Sequence, residues 1–162
     1  FPGIGRTVLD SHLALPDLAV DEQTLTAFDL IPFKTAISAN VAGIMLSHIR
    51  YTGIDPVWPA SLSPAVTADL LRRKMGYDGV VMTDDLDMGA IQGHYPIRKI
   101  MGRIDRAHID LALICHKSPK IAAAHEEIAR CLRDDPGLAA RGERCLARIL
   151  RFKGAYLSGG NT

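Results

Sequence analysis

The sequence lacks any excess of charge of either sign. Its 162 residues contain 19 Lys and Arg against 18 Asp and Glu, which gives a net charge of +1. Nucleic acids and anionic membranes are usually met by a basic surface, so the composition gives no reason to expect either partner. No apolar run approaches the ~20 residues that a membrane-spanning helix needs. We therefore expect a globular chain with no nucleic-acid partner and no membrane partner.

Cysteine is also scarce, and its spacing is not that of a metal site. Cys115, Cys131 and Cys145 are odd in number and lack zinc-type spacing, which predicts free thiols in a reducing compartment. A cytoplasmic location is the corresponding expectation. The chain opens on Phe1-Pro2-Gly3 without a Met. We therefore expect either that upstream residues were removed or that the chain is a piece of a longer protein.

Three apolar runs alternate with apolar residues at helical spacing. The runs are centred near Met45, Val81 and Leu113, and each is continuous, which is typical of a strand buried on both faces. Strands that alternate with helices predict an α/β fold with a parallel sheet, either doubly wound or closed as a (β/α)8 barrel. Three or four such units amount to about half of a barrel, which usually takes ~250 residues.

The two ends of the chain differ from this regular middle. Residues 1–26 show little periodicity and contain the breakers Pro2, Gly3, Gly5 and Pro16, so they are predicted to form a long loop. Long loops in compact domains are commonly functional. Residues 158–162 are predicted to be a flexible tail, which leaves residues 1–157 as one domain.

Residues 79–88 change abruptly from an apolar strand-like run to a run of acids. Asp84, Asp85 and Asp87 follow the run, and Asp84 is the first past the rim of the predicted strand. A carboxylate there is held by a rigid element and faces a ligand, which suits catalysis. The alternative is that Asp84 or Asp85 caps the next helix. A metal-assisted phosphate enzyme using the three acids is a further alternative, although no Gly-rich phosphate loop accompanies them.

Four segments, taken in order, resemble a known family. They are Asp10-Ser11-His12, residues 44–51, residues 59–63 and residues 79–88. In this order and spacing the chain resembles glycoside hydrolase family 3, in its single-domain bacterial β-N-acetylhexosaminidase branch. The resemblance covers nearly the whole chain but only the carboxyl-terminal half of the family's (β/α)8 barrel. It therefore implies a partial TIM-type barrel in which parallel strands alternate with helices.

The resemblance also implies a catalytic trio, in which Asp84 is the nucleophile, His12 the acid/base, and Asp10 the residue that orients His12. A retaining glycosidase needs a carboxylate to attack the anomeric carbon and a second group to protonate the leaving oxygen. Aspartate is ionised near neutrality, and a histidine pKa of ~6.5 lies close to working pH. Asp10 can accept a ring N–H and so fix the tautomer. The competing interpretation makes His12 an exposed loop side chain within a simple turn motif.

Other residues of these segments have weaker functional interpretations. His48 and Met88 are candidates for substrate binding, with a structural histidine and simple packing as their alternatives. Asp85 is predicted to form a helix cap or a hydrogen bond, and Asp87 is predicted to face solvent.

The chain departs from the family pattern near its start. The family commonly has Gly-His-Gly followed by Asp after Phe-Pro, where this chain has Gly3-Ile4-Gly5 and then Arg6. The family's upstream Lys-His pair, and the earlier Arg and Asp that grip the sugar, are absent from this chain. The trio is therefore present, while much of the family's sugar-binding half is not.

The resemblance implies a retaining glycosidase that removes terminal non-reducing β-linked N-acetylglucosamine through a glycosyl-aspartate intermediate. The implied role is the recycling of cell-wall peptidoglycan fragments, with a GlcNAc-containing glycoside or muropeptide as substrate. Neither a metal nor an organic cofactor is expected. The rival hypothesis is an inactive or weakly binding half-barrel whose open sheet edges favour self-association.

Overall fold

Five short strands form two parallel sheets in the computed structural model, which describes residues 1–157. The strands are β1 (Asp17–Leu18), β2 (Gly43–Leu46), β3 (Arg50–Tyr51), β4 (Val80–Asp85) and β5 (Leu111–Leu113). The main sheet has the order β2-β4-β5, and β1 pairs with β3. The three strands of the main sheet contain the predicted centres, so the prediction of a parallel sheet is confirmed.

Helices follow the strands as the periodicity predicts. They are α1 (Glu22–Ala27), α2 (Ile31–Ser38), a 3-10 turn (Ala60–Leu62), a π-helix (Ala65–Lys74), α3 (Gly89–Gln92), α4 (Ile97–Arg106), α5 (Lys120–Asp134) and α6 (Pro136–Leu157). Gly76, with a φ of +71°, follows the π-helix in the left-handed region that glycine tolerates best. Of the helices within residues 1–157, none has both the length and the apolar character needed to cross a membrane.

The main sheet has one covered face and one more open face. In the pairing of β2 with β4, Ile44 lies opposite Val81 and Leu46 opposite Thr83. Side chains alternate between the two faces along a strand, so these four residues share one face and Met45 points to the other. Leu46 and Val81 are fully buried on the covered face. Met45, on the other face, is 44% exposed. The hydrophobic core therefore lies between the sheet and the helices rather than on both sides of the sheet.

A buried ion-pair network joins the sheet to the π-helix and to α6. The Asp110 carboxylate has no exposed surface, and it lies 2.6 Å from Arg72 and 2.9 Å from Arg148. It also accepts a hydrogen bond from the backbone N–H of Val81 at 2.8 Å. One acidic side chain therefore connects three elements that are distant in sequence.

The first 26 residues are more ordered than predicted. Their interpretation as one long loop is wrong, because the stretch contains β1 and most of α1. Asp21 caps α1 by accepting a hydrogen bond from the Thr24 N–H at 2.7 Å, and Leu25 is buried beneath it. β1 forms only because β3 lies beside it, so no local pattern signals it. The predicted tail at 158–162 lies outside the described residues.

Candidate active site

Asp84 lies within the last residues of β4, which continues through Asp85 rather than ending before the acids. The register between β4 and β5 shifts between Met82 and Asp85, and the Leu113 N–H donates to the Thr83 hydroxyl at 3.0 Å. Irregularities of this kind re-aim side chains at the ends of strands. Asp84 is half-buried, and its Oδ1 accepts a hydrogen bond from the Asp85 N–H at 2.8 Å. No ion pair within residues 1–157 involves it, so the carboxylate is held but not neutralised.

The neighbouring carboxylate of Asp85 is tied to the protein. Its Oδ1 accepts hydrogen bonds from the N–H groups of Asp87 and Cys115, both at 3.1 Å. His116 lies 3.7 Å from its other oxygen. Burial alone would raise the pKa of Asp85, but the hydrogen bonds from Asp87 and Cys115 outweigh it and the pKa is lowered. Asp85 thus forms the hydrogen bonds predicted for it, which join the ends of β4 and β5.

His48 is fully buried and both of its ring nitrogens have protein partners. Nε2 lies 2.9 Å from the Asp85 carbonyl oxygen, and Nδ1 lies 2.7 Å from the Ser61 hydroxyl. A carbonyl only accepts, so Nε2 carries the hydrogen and Nδ1 accepts from Ser61. Burial lowers the pKa of His48, although the Asp85 carbonyl and the nearby carboxylates act in the opposite direction. These contacts favour the structural alternative, and a role in substrate binding stays a prediction.

The loop that carries Asp10 and His12 starts beside β2. The Phe1 nitrogen donates to the Met45 carbonyl at 2.5 Å, and the Ser47 N–H donates to the Phe1 carbonyl at 3.0 Å. Phe1 therefore adds to the edge of β2 with the bonding of a parallel strand. The Tyr51 hydroxyl donates to the Gly3 carbonyl. The loop thus begins at a fixed point at the edge of the main sheet.

Asp10 and His12 form a pair within this loop. Oδ1 of Asp10 accepts from the His12 N–H at 2.9 Å and lies 2.8 Å from the ring Nδ1. These two hydrogen bonds, the backbone one first, lower the pKa of Asp10. With Nδ1–H directed to the carboxylate, Nε2 is the nitrogen left to exchange a proton with a ligand. The His12 side chain is 74% exposed, so the ring is open to such a ligand.

The loop then contacts the segment that follows Asp84. The Gly89 N–H donates to the His12 carbonyl at 3.0 Å, and the Ala90 N–H donates to the Ser11 carbonyl at 3.3 Å. The His-Asp pair and Asp84 are therefore carried to the same edge of the sheet. Within residues 1–157 no hydrogen bond joins His12 to Asp84.

Asp87 and Met88 complete the segment between β4 and α3. The prediction that Asp87 faces solvent is wrong, because its carboxylate is largely buried and lies 2.5 Å from Lys120 Nζ at the start of α5. Met88 is buried directly before α3. Across residues 1–157 no group of three or more His, Cys, Asp or Glu side chains is arranged to hold a metal ion. The acids of this segment thus have separate partners instead of forming one ligand set.

The position of the site in the fold is typical of one class of enzyme. Parallel βα units with polar residues gathered at the carboxyl ends of strands are the arrangement of (β/α)8-barrel enzymes. The family model described as the glycosyl hydrolase family 3 N terminal domain matches residues 1–146. The chain belongs to glycosyl hydrolase family 3.

Curated relatives and solved structures agree with the family. The chain is 35% identical over 143 residues to a protein named β-hexosaminidase from Methylococcus capsulatus, covering 87% of this chain and 42% of the relative. It is 37% identical over 148 residues to another β-hexosaminidase, from Stenotrophomonas maltophilia, covering 88% of this chain and 43% of the relative.

A solved family 3 β-N-acetylglucosaminidase from Paenibacillus sp. superposes with a TM-score of 0.93 at 33% identity, covering all of this chain and 31% of that one. A solved β-N-acetylhexosaminidase from Beutenbergia cavernae superposes with a TM-score of 0.80 at 29% identity, covering 95% of this chain and 45% of that one. The fold is thus a partial (β/α)8-type barrel, as predicted. The chain spans less than half the length of these relatives.

Three residues around the site carried no readable signal in the sequence. Ser61 contacts His48, Lys120 pairs with Asp87, and Gly89 contacts the His12 loop. The partners in each contact are 13 or more positions apart, so only the fold brings them together. Position at the end of an apolar run was the local signal that marked Asp84, which lies within β4 in the structure.

Proposed function

We propose that this chain carries the catalytic residues of a retaining β-N-acetylhexosaminidase, with Asp84 as nucleophile, His12 as acid/base and Asp10 as the residue that orients His12. The observation that supports the proposal most is the contact between the His12 carbonyl and the Gly89 N–H at 3.0 Å. It holds the His-Asp pair beside the segment that carries Asp84, although the two are far apart in sequence.

In the first step the Asp84 carboxylate attacks the anomeric carbon of the sugar. The bond from that carbon to the leaving oxygen breaks, and the proton on His12 Nε2 passes to that oxygen. The product is a glycosyl ester of Asp84. The hydrogen bond from Nδ1 to Asp10 stabilises the imidazolium before transfer and keeps Nε2 directed outward.

In the second step neutral His12 takes a proton from water through Nε2. The oxygen of that water attacks the anomeric carbon, and the bond to Asp84 breaks. Both steps invert the same carbon, so the configuration is retained overall. Asp84 suits the nucleophilic role better than Asp85, because Asp85 already accepts two backbone hydrogen bonds.

The substrate we propose is a glycoside with a terminal non-reducing β-linked N-acetylglucosamine, such as a peptidoglycan fragment. Two solved structures to which this chain is similar are titled a β-N-acetylglucosaminidase and a β-N-acetylhexosaminidase. A role in cell-wall recycling in the cytoplasm fits three free cysteines, of which Cys115 is exposed.

A second candidate is a half-barrel that binds weakly or not at all. Within residues 1–157 the outer edge of β5 has no partner strand, and Met45 is exposed on the open face of the sheet. Such an edge favours self-association.

Hydrolysis of 4-nitrophenyl N-acetyl-β-glucosaminide by the purified chain separates the two candidates. We expect turnover that is abolished in Asp84→Asn and retained in Asp85→Asn, with both variants checked for native circular dichroism. Turnover no higher than in buffer would favour the inert half-barrel, and size-exclusion chromatography would then show whether copies associate.

A further inference from the structure

The hydrogen bonds between the His12 loop and α3 join backbone atoms. The Gly89 N–H donates to the His12 carbonyl, and the Ala90 N–H donates to the Ser11 carbonyl. The first N–H groups of a helix have no acceptor within the helix. In α3 the N–H groups of Ile91 and Gln92 both donate to the Met88 carbonyl. The N–H groups of Gly89 and Ala90 therefore find their acceptors in the loop.

This close approach requires a residue without a side chain at position 89. A Cβ built on Gly89 would lie 2.7 Å from the carbonyl oxygens of both His12 and Leu13, and 3.0 Å from the Leu13 carbonyl carbon. All three atoms belong to backbone, which cannot move aside as the end of a flexible side chain can. A β-carbon there would push the loop away from α3.

Gly93 provides a comparison within the same segment. A Cβ on Gly93 would have Gly89 O at 3.7 Å as its nearest neighbour, which is ordinary contact. Neither glycine has a positive φ. We therefore expect alanine at 89 to displace the loop from α3, and alanine at 93 to leave the loop in place.

The rest of the loop has few attachments that would hold it in place. His12 and Asp10 are exposed, and so are the loop's apolar side chains at Val8 and Leu13. Upstream of His12 the loop is attached by the Arg6–Asp29 ion pair at 2.9 Å, and downstream the Arg50 N–H donates to the Pro16 carbonyl at 2.9 Å. The backbone contact with α3 lies between these two attachments and includes His12 itself. That contact sets where the imidazole lies.

We propose that Gly89 is a positioning residue for catalysis: its missing side chain lets the loop of Asp10 and His12 lie against the segment that carries Asp84. The proposal rests on the proposed function, because it assigns Gly89 the task of bringing the acid/base to the nucleophile. Gly89 itself touches neither the substrate nor the reacting atoms. It acts through the position of His12.

The test compares Gly89→Ala, Gly93→Ala and His12→Ala on two aryl N-acetyl-β-glucosaminides. A 4-nitrophenol leaving group departs with little help, whereas phenol needs a proton from the acid catalyst. Loss of a positioned general acid costs roughly 10²–10⁴-fold. We compare kcat/KM, which reports the first step only, because loss of the base slows the shared second step on both substrates. We expect Gly89→Ala to lose kcat/KM mainly on the phenyl substrate, as His12→Ala does, while Gly93→Ala keeps the ratio of the two kcat/KM values seen in the unsubstituted chain. Damage to Asp84 or to the fold would lower both substrates alike.

Amide hydrogen exchange provides a second measurement that does not depend on turnover. We expect the backbone N–H groups at positions 89 and 90 to be protected from exchange in the unsubstituted chain and in Gly93→Ala. In Gly89→Ala we expect the same two N–H groups to exchange fast. An unchanged substrate ratio in Gly89→Ala, or fast exchange at both positions in the unsubstituted chain, would overturn the proposal. Absence of any turnover contradicts the proposed function instead, and the exchange result then decides whether the loop contact exists.

Discussion

His48 Nε2 lies 2.9 Å from the carbonyl oxygen of Asp85, so a buried imidazole holds the residue next to the proposed nucleophile. The other ring nitrogen is bound to Ser61 in the 3-10 turn. The end of β4 is thereby attached to a turn that follows β3. This attachment fixes the backbone from which the Asp84 carboxylate projects.

Replacing His48 tests this attachment. His48→Phe leaves the Ser61 hydroxyl buried without its partner, which costs about 1–3 kcal/mol. It also removes one of the two hydrogen bonds to the Asp85 carbonyl, which still accepts from the Met88 N–H at 3.1 Å. His48→Gln keeps a donor for the carbonyl and should lose less. Urea unfolding followed by circular dichroism measures both. Equal stability of His48→Phe and the unsubstituted chain would show that the two hydrogen bonds contribute nothing.

The same histidine makes stability depend on pH in a defined direction. Burial lowers the pKa of His48 below its ordinary value of 6.5, so the unfolded chain takes up a proton at higher pH than the folded one does. Its neutral form therefore stabilises the fold fully above pH 6.5, and that stability declines as pH falls from 6.5 towards the folded pKa. The free energy of unfolding at pH 7.5 and 5.5 should differ less in His48→Gln. A larger pH effect in the variant would contradict the assignment.

The buried carboxylate of Asp110 should be the most sensitive of the ion pairs described above. Asp110→Asn removes the counter-charge that the largely buried Arg72 and Arg148 share, and leaves Arg148 only Asp78 at 3.7 Å. Breaking buried pairs typically costs ~3–5 kcal/mol. Asp69→Asn is the matched control, because Asp69 and Arg73 form an exposed pair on one helix. Exposed pairs contribute only about 0–1 kcal/mol. Similar losses in the two variants would show that burial of the Asp110 network has no energetic effect.

Lys120 should support the segment between β4 and α3. Lys120→Met leaves the Asp87 carboxylate largely buried without its ion pair at 2.5 Å, while one oxygen of Asp87 already lacks a partner within residues 1–157. We expect Lys120→Met to destabilise the chain more than the double variant Asp87→Asn/Lys120→Met, since the double variant removes the unpaired charge. A double-mutant cycle of unfolding free energies measures the coupling. Additive losses would show that the two side chains act independently.

The sequence predicted the elements that local pattern determines. The apolar runs around Met45, Val81 and Leu113 became the three strands of the main sheet, because a continuous apolar run leaves a readable signature even though one face of this sheet is more open. β1 escaped prediction because Asp17–Leu18 is a strand only by pairing with Arg50–Tyr51. Asp87 was misjudged for the same reason, since its partner Lys120 lies in a helix that begins far along the chain. Long-range pairing, rather than local propensity, separates what could be predicted from what could not.

In the candidate site, too, local pattern predicted some features, and long-range contacts could not be predicted. Position at the end of an apolar run singled out Asp84, and the spacing of Asp10 and His12 allowed the contact seen at 2.8 Å. The structure adds what no spacing contains, namely the seating of that loop on Gly89 and the restraint of Asp85 by His48. The assignment of catalytic roles to Asp84, His12 and Asp10 remains a proposal that covalent chemistry can test.

Covalent trapping is the most direct measurement of the central claim. The chain is incubated with a fluorinated N-acetylglucosaminyl fluoride, whose slow second step lets the glycosyl-enzyme accumulate, and is then digested and mapped by tandem mass spectrometry. We predict one sugar adduct per chain on Asp84, and none in Asp84→Asn. An adduct on Asp85 or another residue, in a chain that still turns over the aryl glycoside, would contradict it.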